Sequence, residues 1–190
     1  MASIAVIIPA LNEAGNIHQL VEEIRVARPI EVIVVDNGST DDTAQEAALA
    51  GARVIREPRR GYGYACAAGV AAAQDVDILS FIDGDGSFSP AELPLVLQPL
   101  LEGQADLVLG SRVLGQMAPG AMPSHQRFGN QLASHLMNIL YDLSITDLGP
   151  YRAIRGELLQ QLNMQEMTYG WPTEMIVKAA RQGSGERCPR

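Results

Sequence analysis

The sequence predicts an α/β domain with a mostly parallel central sheet covered by helices on both faces. Two observations predict it. Short β-branched runs alternate with segments of helical periodicity from residue 4 to residue 109. Three of those runs are apolar at nearly every position, as a strand must be when helices bury both of its faces.

Taken in order, Ile4 to Ile8 is the first strand and Asn16 to Arg28 the helix that follows it. Glu31 to Val35, Arg53 to Ile55, Ile78 to Ile82 and Leu107 to Leu109 are the next four strands. Asp41 to Ala50, Tyr62 to Gln74 and Ala91 to Leu101 have the spacing and length to make crossovers between them. After Arg112 the pattern changes: Gly115, Pro119, Gly120 and Pro123 punctuate an aperiodic stretch, and an amphipathic helix runs from about Gln126 to Leu143. That stretch, Val113 to Ser124, reads as a mobile lid. From Ile145 onward two further helices are expected, near Gly156 to Leu162 and Thr173 to Arg181, with an irregular Gly149-Pro150-Tyr151-Arg152 segment before the first.

Composition limits what such a domain does. At 190 residues, 47% hydrophobic and 19% charged, the chain suits one well-packed domain rather than two. A formal net charge of -8 argues against nucleic acid, whose phosphates call for a basic face. Lys178 is the single lysine, so the other basic residues are arginines, suited to planar recognition of phosphate and carboxylate. Cys66 and Cys188 stand in no ligand spacing, which points away from zinc and from a disulfide framework, and toward a reducing cytoplasm. The apolar run Ser3 to Ile8 is too short for a leader or a span, and Pro94 and Pro99 interrupt Leu93 to Leu101. No spanning segment is expected, while peripheral membrane contact and homo-oligomerisation stay open.

In open parallel sheets, ligands sit at the carboxyl edge, where loops leave a crevice flanked by helix N-termini. Three polar clusters fall there: Pro9-Ala10-Leu11-Asn12-Glu13 after the first strand, Asp36-Asn37-Gly38-Ser39-Thr40-Asp41 after the second, and Asp83-Gly84-Asp85-Gly86-Ser87 after the fourth. Asn12, Ser39 and Thr40 read equally well as helix caps, and Gly38 as a turn residue. Asp36 ends a buried strand, where its carboxylate can accept from a ribose hydroxyl or a base N–H.

Asp83 and Asp85 are two apart, so in extended chain their carboxylates project to one side, about 6 to 7 Å apart. One divalent ion could bridge them. Oxygen ligands without nearby histidine or cysteine favour Mg2+ or Mn2+, with substrate phosphates completing the shell. A calcium loop fails, because its glycine and glutamate positions fall on Phe88 and Pro94. An aspartyl-phosphate phosphatase and a solvated Asp/Gly turn are the remaining rivals. Arg59-Arg60-Gly61-Tyr62-Gly63 is a weak signal, since Cys66 stands at the third glycine of a dinucleotide fingerprint, yet glycines there allow a close backbone approach to a ligand. Arg112 and Arg127 flank the expected lid and could hold an anionic acceptor that the carboxylates would repel.

These motifs together resemble family 2 glycosyltransferases, most of all the dolichyl-phosphate mannose or glucose synthase branch. The resemblance covers nearly the whole chain. It rests on Ile7 to Glu13, Val34 to Asp41, Asp83-Gly84-Asp85 and Gly110-Ser111-Arg112, then on Arg127-Phe128-Gly129-Asn130, Asp147 with Gly149 and Arg152, and Gly170 to Met175 leading to Lys178. It implies a GT-A fold, a Rossmann-like three-layer α/β/α arrangement, with residues 1–111 as the nucleotide-sugar half and 112–190 as the acceptor half. Pro9, Leu11, Asn12, Glu13, Asp36, Gly38 and Gly84 would then lie about the nucleotide. Asp83 and Asp85 would hold the metal, and Ser87 stands where relatives often place a further polar ligand. Arg112, Arg127 and Lys178 would face donor diphosphate or acceptor phosphate.

Relatives of that kind continue past Glu186-Arg187-Cys188-Pro189-Arg190 with a strand and a basic segment over the diphosphate, so a shortened C-terminus is expected. The Gln-x-x-Arg-Trp segment of many hydroxyl-directed members is missing from this sequence, which favours a phosphate acceptor. The implied chemistry is inverting transfer of mannose or glucose from a nucleoside-diphosphate sugar to a polyprenyl phosphate or similar small acceptor, at the cytoplasmic face of a membrane or in the cytoplasm. A phosphate nucleophile is already ionised and needs no base; a hydroxyl would call on Asp147 or Glu174. Binding of a nucleotide sugar without turnover is the alternative from another class.

Overall fold

The computed structural model describes residues 2–28, 30–111, 124–141, 143–149, 151–183 and 186–187, with backbone alone for 124–128 and 186–187. Seven strands form one sheet: β1 (Ile4–Ala10), β2 (Glu31–Asp36), β3 (Arg53–Arg56), β4 (Ile78–Phe81), β5 (Leu107–Leu109), β6 (Arg152–Arg155) and β7 (Glu186–Arg187), in the order β3-β2-β1-β4-β6-β5-β7. Among the described residues seven α-helices accompany it: α1 (Ile17–Ala27), α2 (Thr43–Leu49), α3 (Tyr62–Ala73), α4 (Leu93–Leu101), α5 (Ser124–Tyr141), α6 (Gly156–Leu162) and α7 (Trp171–Arg181). The expected α/β class with a mostly parallel sheet is what forms.

β1 shows why its sequence is apolar throughout. Every one of its seven residues is buried. Because strand side chains alternate, Val6 and Ile8 enter a core with Ile17, Val21 and Leu97, whereas Ala5 and Ile7 enter a second core with Cys66, Met175 and Ile176. One strand thus anchors the helices of both outer layers. The α3 layer comes especially close: a Cβ on Gly69 would lie 2.4 Å from Ile7 Cγ2.

The sheet departs from the sequence expectation at β6, which begins at the last residue of the segment read as irregular and runs on through residues assigned to no element. β6 runs antiparallel to both β4 and β5, with Phe81 and Leu109 each opposite Arg152. Four residues with arginine at both ends carry no strand signature. The reversal matters, because it brings the first residue of β6, rather than its last, to the edge where β1, β2 and β4 end.

Candidate active site

At that edge, the loops after β1 and β2 are fastened to each other. Asn12 adopts φ +60, and its side-chain oxygen accepts the Thr40 N–H at 2.8 Å and the Thr40 hydroxyl at 3.2 Å. In return Asn12 N–H donates to Ser39 Oγ at 3.0 Å, Glu13 N–H to Thr43 Oγ1 at 2.8 Å and Ala14 N–H to Asp41 Oδ2 at 3.2 Å. The two loops therefore consume each other's polar groups. None of Asn12, Ser39 and Thr40 caps a helix, as the simplest sequence reading had allowed: α1 follows Asn16 and α2 follows Asp42.

Asn37, buried behind these loops, fastens the segment that follows β3. Its Nδ2 donates to the carbonyls of Glu57 at 3.0 Å and Arg59 at 2.7 Å, and its Oδ1 accepts the Gly61 N–H at 2.9 Å. Glu57 accepts a fork from Arg59, Nε at 2.9 Å and Nη2 at 2.8 Å, plus the Arg59 N–H at 2.9 Å. Hydrogen bonds from the Arg59 side chain and backbone hold the Glu57 carboxyl down at about 2. Arg60 Nη2 donates to the Gly38 carbonyl at 3.0 Å, a bond set up by the positive φ of Gly38.

The glycines at the start of α3 serve a close approach, but to the protein's own chain. Gly63 N–H donates to the Thr168 carbonyl and Tyr64 N–H to the Met167 carbonyl, each at 3.2 Å. A Cβ at Gly61 or Gly63 would meet the Met167 or Glu166 carbonyl oxygen at 2.5 Å. The first N–H groups of α3 are thereby occupied, and residues 166–169 are pinned beside Gly61.

A cleft of about 460 Å³ lies between these walls. Pro9, Leu11, Glu13, Asp83, Gly84, Asp85, Arg60, Tyr62 and Tyr169 are among the residues that line it. Asp83 is half-buried and Asp85 exposed. Asp85 Oδ1 also accepts the Ser87 N–H at 2.9 Å, which folds the turn. The half-buried Tyr62 and the buried Cys66 and Arg152 interact electrostatically with one another and with Asp83, and Arg152 also with the buried Asp147. Burial, then the charges of Cys66 and Asp83 near it, push the Tyr62 phenol well above its ordinary value, and a hydrogen bond to Asp83 adds to this. Burial pulls Arg152 down from its ordinary value, opposed by Tyr62, Cys66, Asp83 and Asp147.

Of the residues singled out in the sequence, Pro9, Leu11, Glu13, Asp83, Gly84 and Asp85 meet at this cleft. Asp36, Asn12 and Gly38 are not among the residues that line it: Asp36 is 7% exposed and accepts the Ser39 N–H at 2.8 Å. Ser87 is exposed and off the cleft walls. Asp147 is 1% exposed and is not among the residues that line the cleft. Glu174 accepts the N–H groups of Gln165 and Glu166 and pairs with Lys178 at 2.8 Å. Lys178 also donates to the Asn163 carbonyl at 2.7 Å. Arg112, the side chain of Arg127 and the expected lid up to Pro123 lie outside the described residues. Sequence reasoning passed over Thr168 and Tyr169, which line the cleft, and the burial of Arg152, and it had Arg60, Gly61 and Tyr62 only within a weak motif.

Comparison with known proteins bears on what such a cleft does. The family description "Glycosyl transferase family 2" matches residues 5–162. An uncharacterized glycosyltransferase of Mycobacterium tuberculosis is 38% identical over 181 residues, 95% of this chain and 80% of that protein. The undecaprenyl-phosphate mannosyltransferase of Micrococcus luteus is 30% identical over 190 residues, 93% of this chain and 77% of that one. Among solved structures, a mycobacterial protein superimposes with a TM-score of 0.80 at 27% identity, over 99% of this chain and 65% of its own. Glucosyl-3-phosphoglycerate synthase from Mycobacterium tuberculosis, in complex with Mn2+, UDP and glucosyl-3-phosphoglycerate, does so with a TM-score of 0.79 at 25% identity, over 98% of this chain and 69% of its own.

Proposed function

This chain belongs to glycosyl transferase family 2, and from that premise we propose that it transfers a hexose from a nucleoside-diphosphate sugar to a phosphate-bearing acceptor, a polyprenyl phosphate first among them, with Mg2+ or Mn2+ at Asp83 and Asp85. The observation that carries this reading is that both carboxylates line one cleft together with Arg60. Among the described residues no group of three or more His, Cys, Asp and Glu side chains gathers around a common point. Two carboxylates alone suit a hard cation whose remaining ligands come from water and substrate phosphate. Bound there, the cation would neutralise the charge that develops on the departing nucleoside diphosphate.

The protein's own groups take the remaining roles. The wall of Pro9, Leu11 and Glu13 receives the nucleoside, braced from behind by the bonds of Asn12 and Asp36. Arg60 sets a positive charge beside the diphosphate, its guanidinium steadied by the Gly38 carbonyl. The uridine series is favoured by the UDP complex of the synthase, and a hexose by the mannosyl and glucosyl names of both relatives.

A phosphate acceptor is favoured by the state of the two carboxylates that a hydroxyl would need as base. Asp147 is buried, and Glu174 is engaged by two backbone N–H groups and Lys178. Burial raises Glu174, but hydrogen bonds from Lys178, Glu166 and Gln165 outweigh it and leave a net lowering, which makes it a weaker base. A phosphomonoester, with its second pKa near ~6, attacks without a base and inverts the anomeric centre. Among the described residues no helix is long and apolar enough to cross a membrane. A lipid phosphate would then be met by peripheral contact at the cytoplasmic face.

Calorimetric titration of UDP and GDP, with Mn2+ and with excess chelator, tests the site. Transfer assays from UDP-glucose and GDP-mannose to a short polyprenyl phosphate or to phosphoglyceric acid test the chemistry. Metal-dependent binding of one nucleotide, lost in Asp85→Asn, together with an inverted product, is expected. Binding indifferent to chelator, a retained configuration, or phosphate release from simple esters would each sink the reading. Binding without transfer to either acceptor would mark a nucleotide-sugar binder.

A further inference from the structure

α5 is folded with its polar side inward. Asn130 Oδ1 accepts the Leu148 N–H at 3.0 Å, and Asn138 donates to the Ile145 carbonyl at 2.8 Å and accepts its N–H at 2.9 Å. Ser134, one turn from each, is buried at 4% exposure, and Met137 reaches the second core beside them. Turned outward are Leu132 and Leu136, each 49% exposed, Ile139 at 67% and Leu140 at 70%. At about 3.6 residues per turn these four share one arc of about 100°. A helix whose outer face meets only water has the opposite arrangement.

Charge and area narrow what covers this face. The chain carries 22 Asp and Glu in 190 residues, yet none of them falls between Leu107 and Tyr141, where the fully charged residues are Arg112 and Arg127. Beside the last residue of the stripe, the exposed Arg181 of α7 sets its guanidinium 5.8 Å from the centre of the Tyr141 ring. In a chain of net charge -8, an anionic surface approaching α5 thus meets no carboxylate of that helix and a guanidinium at its end. Four aliphatic side chains exposed to this extent fall short of the ~800 Å² that each partner gives to a standard protein interface, so a second copy of the chain gains too little there. A bilayer sets no such threshold. An apolar helix face sinks into the boundary between headgroups and acyl chains, and arginines at its rim meet lipid phosphates.

The helix also stands where such a contact serves the reaction. The segment it fastens, at Ile145 and Leu148, leads through Gly149 to Arg152, the residue of β6 at the edge where β1, β2 and β4 end.

We propose that the outer face of α5 seats the protein on an anionic lipid bilayer, with Leu132, Leu136, Ile139 and Leu140 entering the headgroup region and Arg181 against lipid phosphate. The helix lies in the plane of the interface and does not cross it. The contact deepens the reading of a lipid-phosphate acceptor and rests on that reading for its use, since it holds the ligand edge beside the layer in which such an acceptor is dissolved.

Co-flotation with vesicles of equal parts phosphatidylcholine and phosphatidylglycerol, against vesicles of phosphatidylcholine alone, measures the contact. The proteins compared are wild type, Leu136→Ser/Ile139→Ser and, as a control at another exposed apolar residue, Val26→Ser of α1. Thermal unfolding and sedimentation velocity accompany each. Wild type and Val26→Ser are expected to float with the anionic vesicles, less so at raised salt. The α5 variant should keep its Tm and partition on the order of tenfold less, because it loses two apolar side chains from the contact. Should that variant fail to fold, Ile139→Asp, a single change at a 67% exposed position, decides in its place with the same expected loss. Wild type that stays in solution, or an α5 variant that floats as wild type does, overturns the proposal. So does a wild-type dimer that the same substitutions dissociate. Transfer assays distinguish the contact from the acceptor reading. The α5 variant should lose transfer to a polyprenyl phosphate embedded in vesicles and keep transfer to a short, water-soluble one; loss on both alike overturns the proposal. Vesicle binding that depends on α5, with no transfer to either acceptor by wild type, supports the docking surface and overturns the acceptor reading alone.

Discussion

The side-chain oxygen of Asn37 accepts the Gly61 N–H at 2.9 Å while its amide donates to the carbonyls on either side of Pro58, those of Glu57 and Arg59. One buried amide therefore holds the end of β2 against the loop that carries Arg60. Asn37→Ala leaves one donor and two acceptors of the backbone without that partner. At about 1 to 3 kcal/mol for each buried group left unsatisfied, reduced where water enters, a loss of roughly 2 to 3 kcal/mol is expected. Urea unfolding should show a lower midpoint with an unchanged slope. An unshifted midpoint would show that the amide adds nothing net.

Gly63 presses against the chain at residues 166–169. A methyl group there would lie 2.5 Å from the Glu166 carbonyl oxygen and from Met167 Cα, both backbone atoms with little room to move. Gly63→Ala should cost about 1 to 3 kcal/mol as overpacking, partly offset by the helix preference of alanine. Because Thr168 and Tyr169 line the cleft, the same change should weaken donor binding, raising KM more than it lowers kcat. A stable variant with unaltered KM would separate that segment from the donor site.

Glu57 gives the fold a defined acid limb. Its carboxyl sits at about 2 in the folded chain against an ordinary value of 4.5. A depressed carboxylate contributes stability that is complete above the unfolded value and is lost as pH falls toward the folded one. The difference in Tm between wild type and Glu57→Gln should therefore be constant above about pH 5.5 and shrink between about pH 4.5 and pH 2. A difference that does not change with pH would assign the loss to packing. Arg59 is largely exposed, so added salt should reduce the effect.

How much of this was legible follows from what each residue does locally. β1, β2 and β4 could be read because burial on two faces leaves an unmistakable apolar run. Asp83 and Asp85 could be placed at the cleft because they follow directly on an apolar strand, at whose carboxyl end such a crevice lies. β6 could not, since Arg152 and Arg155 bracket only Ala153 and Ile154, and nothing along the chain says that Arg152 is buried while Arg155 reaches Asp106 at 3.1 Å. Tyr169, 87% exposed, reaches the cleft through the docking of residues 166–169 on α3, a contact across about a hundred residues that no local pattern encodes.

Lys178 is the residue where motif and structure part, and it offers a direct check. It follows the Gly170 to Met175 motif, which suggested a phosphate ligand, yet Glu174 one turn earlier and the Asn163 carbonyl take up its ammonium. The i,i+4 spacing of Glu174 and Lys178 sets the two one turn apart on α7, where such a pair can form. With Lys178 at 30% and Glu174 at 16% side-chain exposure, the pair is partly screened, and Lys178→Met should cost no more than about 1 kcal/mol. The expected signature is a small fall in Tm, with the Kd of nucleotide in saturating Mn2+ staying within about twofold of wild type. A tenfold weaker nucleotide Kd would instead mean that Lys178 leaves Glu174 when the diphosphate binds, and would return it to the donor site.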